Sequence, residues 1–246
     1  MSLLEVRHIN SGYGKKQVLF DASFEVEKGH IALLIGSNGS GKSTVLKTIY
    51  GLLHPYSPTF ESDGRETIGQ IIFDGKDVTN HAPSRLLQLG LMYIPQKDYC
   101  FDNLTVKENM EVSGITLKTN QLFKERYDQV MGLFPALKLM SGRSPMKMSG
   151  GERQMLALAM ALMHQPKLLM LDEPLAGLAP KSIGQVTDIL KLLNQKHGIT
   201  LLIVEQNIKE GLSLATKLIG LKLGKVIDLY EPDNTLKYCM LDEIFL

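Results

Sequence analysis

A chain of 246 residues, 44% hydrophobic and 22% charged, has the ordinary composition of a globular chain and can bury the core of one large α/β domain or of a core with an inserted subdomain. A net charge of +1 gives no global electrostatic ground for nucleic acid or acidic lipid as partner, and the two cysteines, Cys100 and Cys239, make neither a disulfide framework nor a metal set. The start has no apolar signal core and no apolar run nears the ~20 residues that span a bilayer, so a cytoplasmic protein is expected.

Residues 3–27 alternate as β structure: Leu4, Val6 and His8, a turn at Ser11-Gly12-Tyr13-Gly14, then Val18, Phe20, Ala22, Phe24 and Val26. Residues 31–35 form an apolar run of buried-strand type. Residues 42–53 have helical spacing, with Val45, Leu46, Ile49, Leu52 and Leu53 on one side. Residues 55–69 hold two prolines and no period, and read as a surface loop. A short strand at Ile71-Ile72-Phe73, a helix opening at Pro83 and a strand at 91–94 follow. Residues 97–166 are mainly helical, with breaks at Gly114, Pro135 and Gly142, and are expected to form an inserted helical subdomain within a core of 1–96 and 167–229. Beyond them come a buried strand at 168–171, a helix at 180–197 stopped by Gly198, a strand at 200–204 and a hairpin turning at Gly224. The tail, 230–246, carries no readable pattern.

Between the first buried strand and its helix lies Gly36-Ser37-Asn38-Gly39-Ser40-Gly41-Lys42-Ser43-Thr44, a G-x-x-x-x-G-K-S phosphate-binding loop in strand–loop–helix context. Glycines let the loop curl so that successive N–H groups point at an anion, and the helix start adds its positive end. Lys42 supplies a point charge for the outer phosphates, and the Ser43 hydroxyl a ligand for Mg²⁺. A second motif, Leu168-Leu169-Met170-Leu171-Asp172-Glu173-Pro174, places two carboxylates at the end of a buried strand. Asp172 suits the support of Mg²⁺ and Glu173 the activation of a water, although the same letters also describe a solvated strand end. A third, Ser149-Gly150-Gly151-Glu152-Arg153-Gln154, contains the S-x-x-E capping box of an ordinary helix start. Its two glycines cost a helix about 1 kcal/mol each, and make sense if an anion approaches the bare backbone.

These three motifs, in this order, resemble the ATP-binding cassettes of ABC transporters from about Leu3 to Leu229. The resemblance implies a P-loop NTPase core with a mainly parallel sheet, an antiparallel β subdomain and a helical signature subdomain. It implies that Tyr13 stacks on adenine, that Gln96 contacts Mg²⁺ or the attacking water, and that Ser149, Gly150 and Gly151 face the γ-phosphate held by a second cassette. It further implies ATP hydrolysis, a pair of cassettes, integral membrane permease subunits as partners gripped near residues 96–104, and a place on the inner face of the membrane.

Two features depart from the family pattern. A histidine is usual after the strand that follows the catalytic glutamate; here the strand runs into Val204-Glu205-Gln206-Asn207, and Gln206 takes that position. An amide can donate to a γ-phosphate but cannot pass a proton. The triplet Glu205-Gln206-Asn207, with Gly177-Leu178-Ala179-Pro180, resembles the ATPase subunits of branched-chain amino-acid importers; a soluble or export-type ATPase, such as one for lipopolysaccharide export, is the alternative. The second departure is the 55–69 loop, about ten residues longer than the pattern has there.

Overall fold

The computed structural model describes residues 1–56, 59–60, 66–67, 69–97, 99–206 and 208–230. The expected elements are present. β1 (Ser2–Tyr13) and β2 (Lys16–Glu27) pair antiparallel and, with β6 (Gln70–Phe73) and β7 (Lys76–Asp77), form a four-stranded sheet. Beside it lies a six-stranded sheet in the order β12-β11-β3-β10-β9-β8. Its strands β3 (Ile31–Ile35), β8 (Leu91–Ile94), β9 (Leu168–Asp172), β10 (Thr200–Val204) and β11 (Lys217–Lys222) run parallel, and β12 (Lys225–Tyr230) closes one edge antiparallel. All residues of β3, β9 and β10 are buried, as near-continuous apolar strands covered on both faces must be.

Two apolar layers result. One lies between the sheets and contains α1 (Lys42–Ile49), whose Val45, Leu46 and Ile49 pack with Leu4, Phe24, Leu34 and Phe73. The other covers the opposite face with α3 (Val106–Ser113), α4 (Asn120–Leu133), α5 (Pro135–Leu139), α6 (Gly150–Leu162) and α7 (Pro180–His197). The short helices α2 (Pro83–Leu89) and α8 (Ile208–Leu212) complete the chain order. The extra hairpin β4 (Thr59–Phe60) and β5 (Glu66–Thr67) interrupts the stretch read as a plain loop; the rest of that stretch between 57 and 68 lies outside the described residues, as does the tail from 231.

Three local readings are corrected. β1 runs on through Ser11 and Gly12 to Tyr13, and the turn is Gly14-Lys15. The alternation of β2 holds for Ala22, Phe24 and Val26 and fails before them: Leu19 is fully buried and Phe20 is exposed, because Asp21 adopts a left-handed φ of 53° and the pairing slips between Ile9–Ala22 and Ser11–Leu19. The first helix stops at Ile49, since Gly51 turns back at φ 70° with His81's carbonyl against its α-carbon, and Leu52 is left exposed.

Candidate functional site: the phosphate loop and the carboxyl ends of the parallel strands

The site forms where β3, β9 and β10 end together. The loop after β3 is held from the far side by the β11–β12 hairpin. A Cβ at Gly36 would lie 2.3 Å from the Leu221 carbonyl oxygen, and Gly224 N–H donates to Ser40 O at 2.9 Å. Gly41 enters α1 as N-cap with φ 108° and no side-chain cap, so the first-turn N–H groups of α1 have no side chain answering them. The Ser40 hydroxyl is buried with no partner. An unanswered helix start beside an orphaned buried hydroxyl fits an anion.

Lys42 bends back over the loop, its Nζ donating to Gly36 O at 2.8 Å and Ser37 O at 3.1 Å. Burial pulls its ammonium below the ordinary value, and Glu173 and Asp172 pull it back up. Ser43 Oγ, one residue on, donates to Asp172 Oδ1 at 3.0 Å. Thus two motifs separated by most of the sequence meet at one hydrogen bond. The second oxygen of Asp172 accepts from Tyr93 OH at 3.2 Å, and Tyr93 leans on Tyr50 with ring centroids 5.5 Å apart. Burial raises the Asp172 carboxyl above its usual range, Ser43 and Tyr93 lower it, and Glu173 adds to the rise. Ser43 and Asp172 bring two hard oxygens together, which suits Mg²⁺ completing its shell with substrate phosphate and water, while the Gln96 amide lies on the neighbouring carboxylate of Glu173.

Glu173 is the strained residue of the site. Its φ of 52° lies in the left-handed region, while its N–H is anchored to Val204 O at 2.9 Å. That turn brings its carboxylate between two side-chain amides: Gln206 donates to Oε1 and Gln96 to Oε2. Gln206 therefore stands at the site, as read from sequence, but its partner in this structure is the glutamate.

Tyr13 projects from the tip of the β1–β2 hairpin, 47% exposed, with Lys47 Nζ of α1 5.9 Å from its ring centre. The Ser149 group lies apart from this cluster. Ser149 is an exposed N-cap in a complete capping box with Glu152, and its neighbours Gly150 and Gly151 face Leu178 and Ser182. A Cβ on Gly151 would come within 2.6 Å of Ser182, so close packing of α6 on α7 explains this glycine without an anion. Sequence reading missed Tyr93, whose only signal was a phenol inside an apolar strand. It also missed the work of Glu205, which is fully buried and accepts Leu175 N–H at 2.7 Å, fixing the 175–180 loop to the end of β10.

Comparison with known proteins decides what this arrangement is. Residues 19–176, which hold all three motifs, match the family model described as ABC transporter. The chain belongs to the ABC transporter family. The cassette is 36% identical, over 97% of its length and 98% of the other's, to a probable branched-chain amino acid transport ATP-binding protein of Archaeoglobus fulgidus. It is 38% identical to a high-affinity branched-chain amino acid transport ATP-binding protein of Pseudomonas aeruginosa, covering 92% and 91%. A lipopolysaccharide export system ATP-binding protein of Haemophilus influenzae matches at 30%, covering 100% and 98%. Among solved structures, a nucleotide-free ATP-binding cassette from an ABC transporter superposes with a TM-score of 0.86 at 27% identity, covering 100% of this chain and 99% of that one. The ADP conformation of the cassette MJ1267 superposes with a TM-score of 0.84 at 27%, covering 99% and 98%. The cassette is thus the nucleotide-binding, ATP-hydrolysing subunit of an ABC transporter, as its motifs implied. Among the described residues no helix is long and apolar enough to cross a membrane.

Proposed function

We propose that two cassettes clamp two ATP molecules between them and that hydrolysis releases the clamp to drive a membrane permease that imports amino acids of the branched-chain type. The observation that carries the hydrolytic part is Glu173, turned by its left-handed backbone to the mouth of the phosphate loop and flanked by Gln96 and Gln206. Lys42 and the 36–44 loop, which includes Ser37, Asn38, Gly39, Ser40 and Thr44, bind the phosphates. Tyr13 receives the adenine. Ser43, Asp172 and Gln96 would hold Mg²⁺, which supplies charge neutralisation at the β- and γ-phosphates when bound. Glu173 accepts a proton from the attacking water, and Gln206 senses the γ-phosphate by donation. Ser149 caps the other cassette's γ-phosphate with the help of Gly150 and Gly151; its exposure supports this, since a group that serves a second molecule must be open to it.

In this reading residues 1–96 and 167–229 are the nucleotide-binding core and residues 97–166 the helical subdomain. The permease grips the joint between them. Two features support that grip. Phe101 is half exposed, and the fully buried Asn109 ties down the loop beside it, accepting Phe101 N–H at 2.8 Å and donating to the carbonyls of Phe101, Leu104 and Thr105. A grip of this kind puts the cassette on the inner face of the membrane, with no nucleic acid involved. The import reading rests on the two branched-chain relatives above; the export relative supports the alternative, at lower identity.

The deciding experiment is Glu173→Gln. Turnover is expected to fall at least a hundredfold while ATP now produces a stable dimer on size-exclusion chromatography. Hydrolysis near the wild-type rate would remove Glu173 from the mechanism. Purification from native membranes with identification of the bound permease then separates import from export.

A further inference from the structure

The hairpin tip that carries Tyr13 is irregular. Pairing of β1 with β2 slips between Val6 and Ile9, Ile9 and Ser11, and Ser11 and Gly12, before the last pairs Gly12–Gln17 and Tyr13–Lys16. A tip built this way does not fix its own orientation. A second segment lies across it. After α1 the chain returns as residues 54–56, at the start of the stretch that exceeds the family length. Tyr56 N–H donates to Asn10 O at 2.7 Å, and the Tyr56 hydroxyl donates to Gly14 O at 3.0 Å, in the turn next to Tyr13. The hydroxyl reaches that carbonyl by passing over Gly12. A Cβ there would stand 2.6 Å from the Tyr56 oxygen and 2.1 Å from Lys16 O, so the position admits only glycine. The same strand end is tied to the phosphate-loop helix, since Thr48 Oγ1 of α1 donates to Ser11 Oγ at 2.8 Å.

We propose that Tyr56 is a positioning residue for the base end of the nucleotide: by holding the Gly12–Gly14 turn against α1 it sets the Tyr13 ring at a fixed place relative to the phosphate loop. This rests on the reading that Tyr13 receives adenine and the 36–44 loop the phosphates. A platform already held in place spares the ordering cost that a free tip meets on binding. The contribution belongs to the base, because the hydrogen bonds of Tyr56 run to Asn10 and Gly14 of the hairpin.

The test is calorimetric titration of the full chain with ATP and, separately, with inorganic triphosphate, for wild type, Tyr56→Phe, Tyr56→Ala, Tyr13→Ala and the double variant. Tyr56→Phe, which keeps the ring and removes the donor, is expected to weaken ATP by about threefold, and Tyr56→Ala by about tenfold, while triphosphate affinity stays within about twofold. In steady state the KM for ATP rises and kcat holds. In the Tyr13→Ala background, Tyr56→Ala is expected to add less than about twofold, because the two residues act as one unit. Equal loss of ATP and triphosphate overturns the proposal, since Tyr56 would then support the fold as a whole. A full loss persisting without Tyr13 also overturns it, because Tyr56 would then meet the base directly, and unchanged ATP affinity in both Tyr56 variants does so most simply. Failure of the wild type to bind triphosphate would sink the phosphate-loop reading itself, and this proposal with it.

Discussion

Gln206 donates its side-chain N–H to Oε1 of Glu173, so the residue in the usual histidine position holds the proposed general base directly. With Gln96 on Oε2, each carboxylate oxygen accepts one amide N–H and keeps acceptor capacity for a water. In the proposed reading Gln206 also donates to the γ-phosphate, an interaction that its removal abolishes. Gln206→Ala is therefore expected to lower kcat about tenfold, the scale of one hydrogen bond to a charged group, with the KM for ATP little changed. Gln206→His is expected to remain active and to acquire a fall in rate as pH drops through ~6.5, where an imidazolium would pair with Glu173; wild type, with an amide there, lacks that inflection. Steady-state ATPase rates across pH 5.5–8.5 for the three proteins check both.

Much of this was legible in the letters, for physical reasons that differ by element. β3 is apolar throughout, and β9 and β10 are apolar but for Asp172 and Thr200 at their ends, because parallel strands covered on both faces favour near-continuous apolar runs; the glycine loop and Asp172-Glu173 sit at their ends where the motifs require. The hairpin was harder. Asp21 and His8 both take left-handed φ angles, and no alternation rule foresees a bulge that moves Leu19 inward and Phe20 outward. Nor does sequence say that Gly151 is small for the sake of Ser182, that Tyr93 braces Asp172, or that Glu173 is strained, since each depends on what the chain brings beside it.

Lys42 is almost fully buried, its ammonium donates to two carbonyl oxygens, and the carboxylates of Glu173 and Asp172 lie close enough to stabilise its charge. Its removal takes away a desolvated charge as well as two hydrogen bonds, so the fold loses little. Lys42→Ala is expected to weaken ATP at least tenfold in an equilibrium titration while the melting temperature of the nucleotide-free protein moves by no more than about 2 °C. Unchanged ATP affinity would count against the phosphate loop.

Asp172 places function and stability in opposition. Its folded-state pKa is raised, chiefly by burial, above the ordinary 3.8. A carboxyl raised in this way adds stability that is complete below the unfolded value and is lost as pH climbs through the folded value; at neutral pH the buried charge is a cost. Asp172→Asn keeps an acceptor for Ser43 and removes the charge. It is expected to raise the melting temperature at pH 7 by a few degrees, about 1 kcal/mol for a relieved active-site residue, and to abolish Mg²⁺-dependent hydrolysis. The thermal gain is expected to shrink below pH 4, where Asp172 is neutral in both states. Melts at pH 4 and pH 7, paired with ATPase assays, read both effects.

Gly151 separates two explanations of the Ser149-Gly150-Gly151 helix start. Packing requires it, because a methyl group there would press 2.6 Å from Ser182 Cβ and Oγ on α7. Approach by a second cassette's nucleotide would require it for another reason, a bare backbone facing an anion. Gly151→Ala alone is expected to destabilise the nucleotide-free protein by about 1–3 kcal/mol, the usual cost of overpacking a helix contact. Adding Ser182→Gly removes the obstructing side chain and is expected to restore most of that loss, since the two residues are in direct contact and couple. ATPase activity then discriminates. If the double variant regains both stability and turnover, the glycine serves α6–α7 packing. If it regains stability but remains slow, with ATP-dependent dimerisation impaired, the missing function is the close approach to the facing nucleotide, and Gly151 is held by both demands at once.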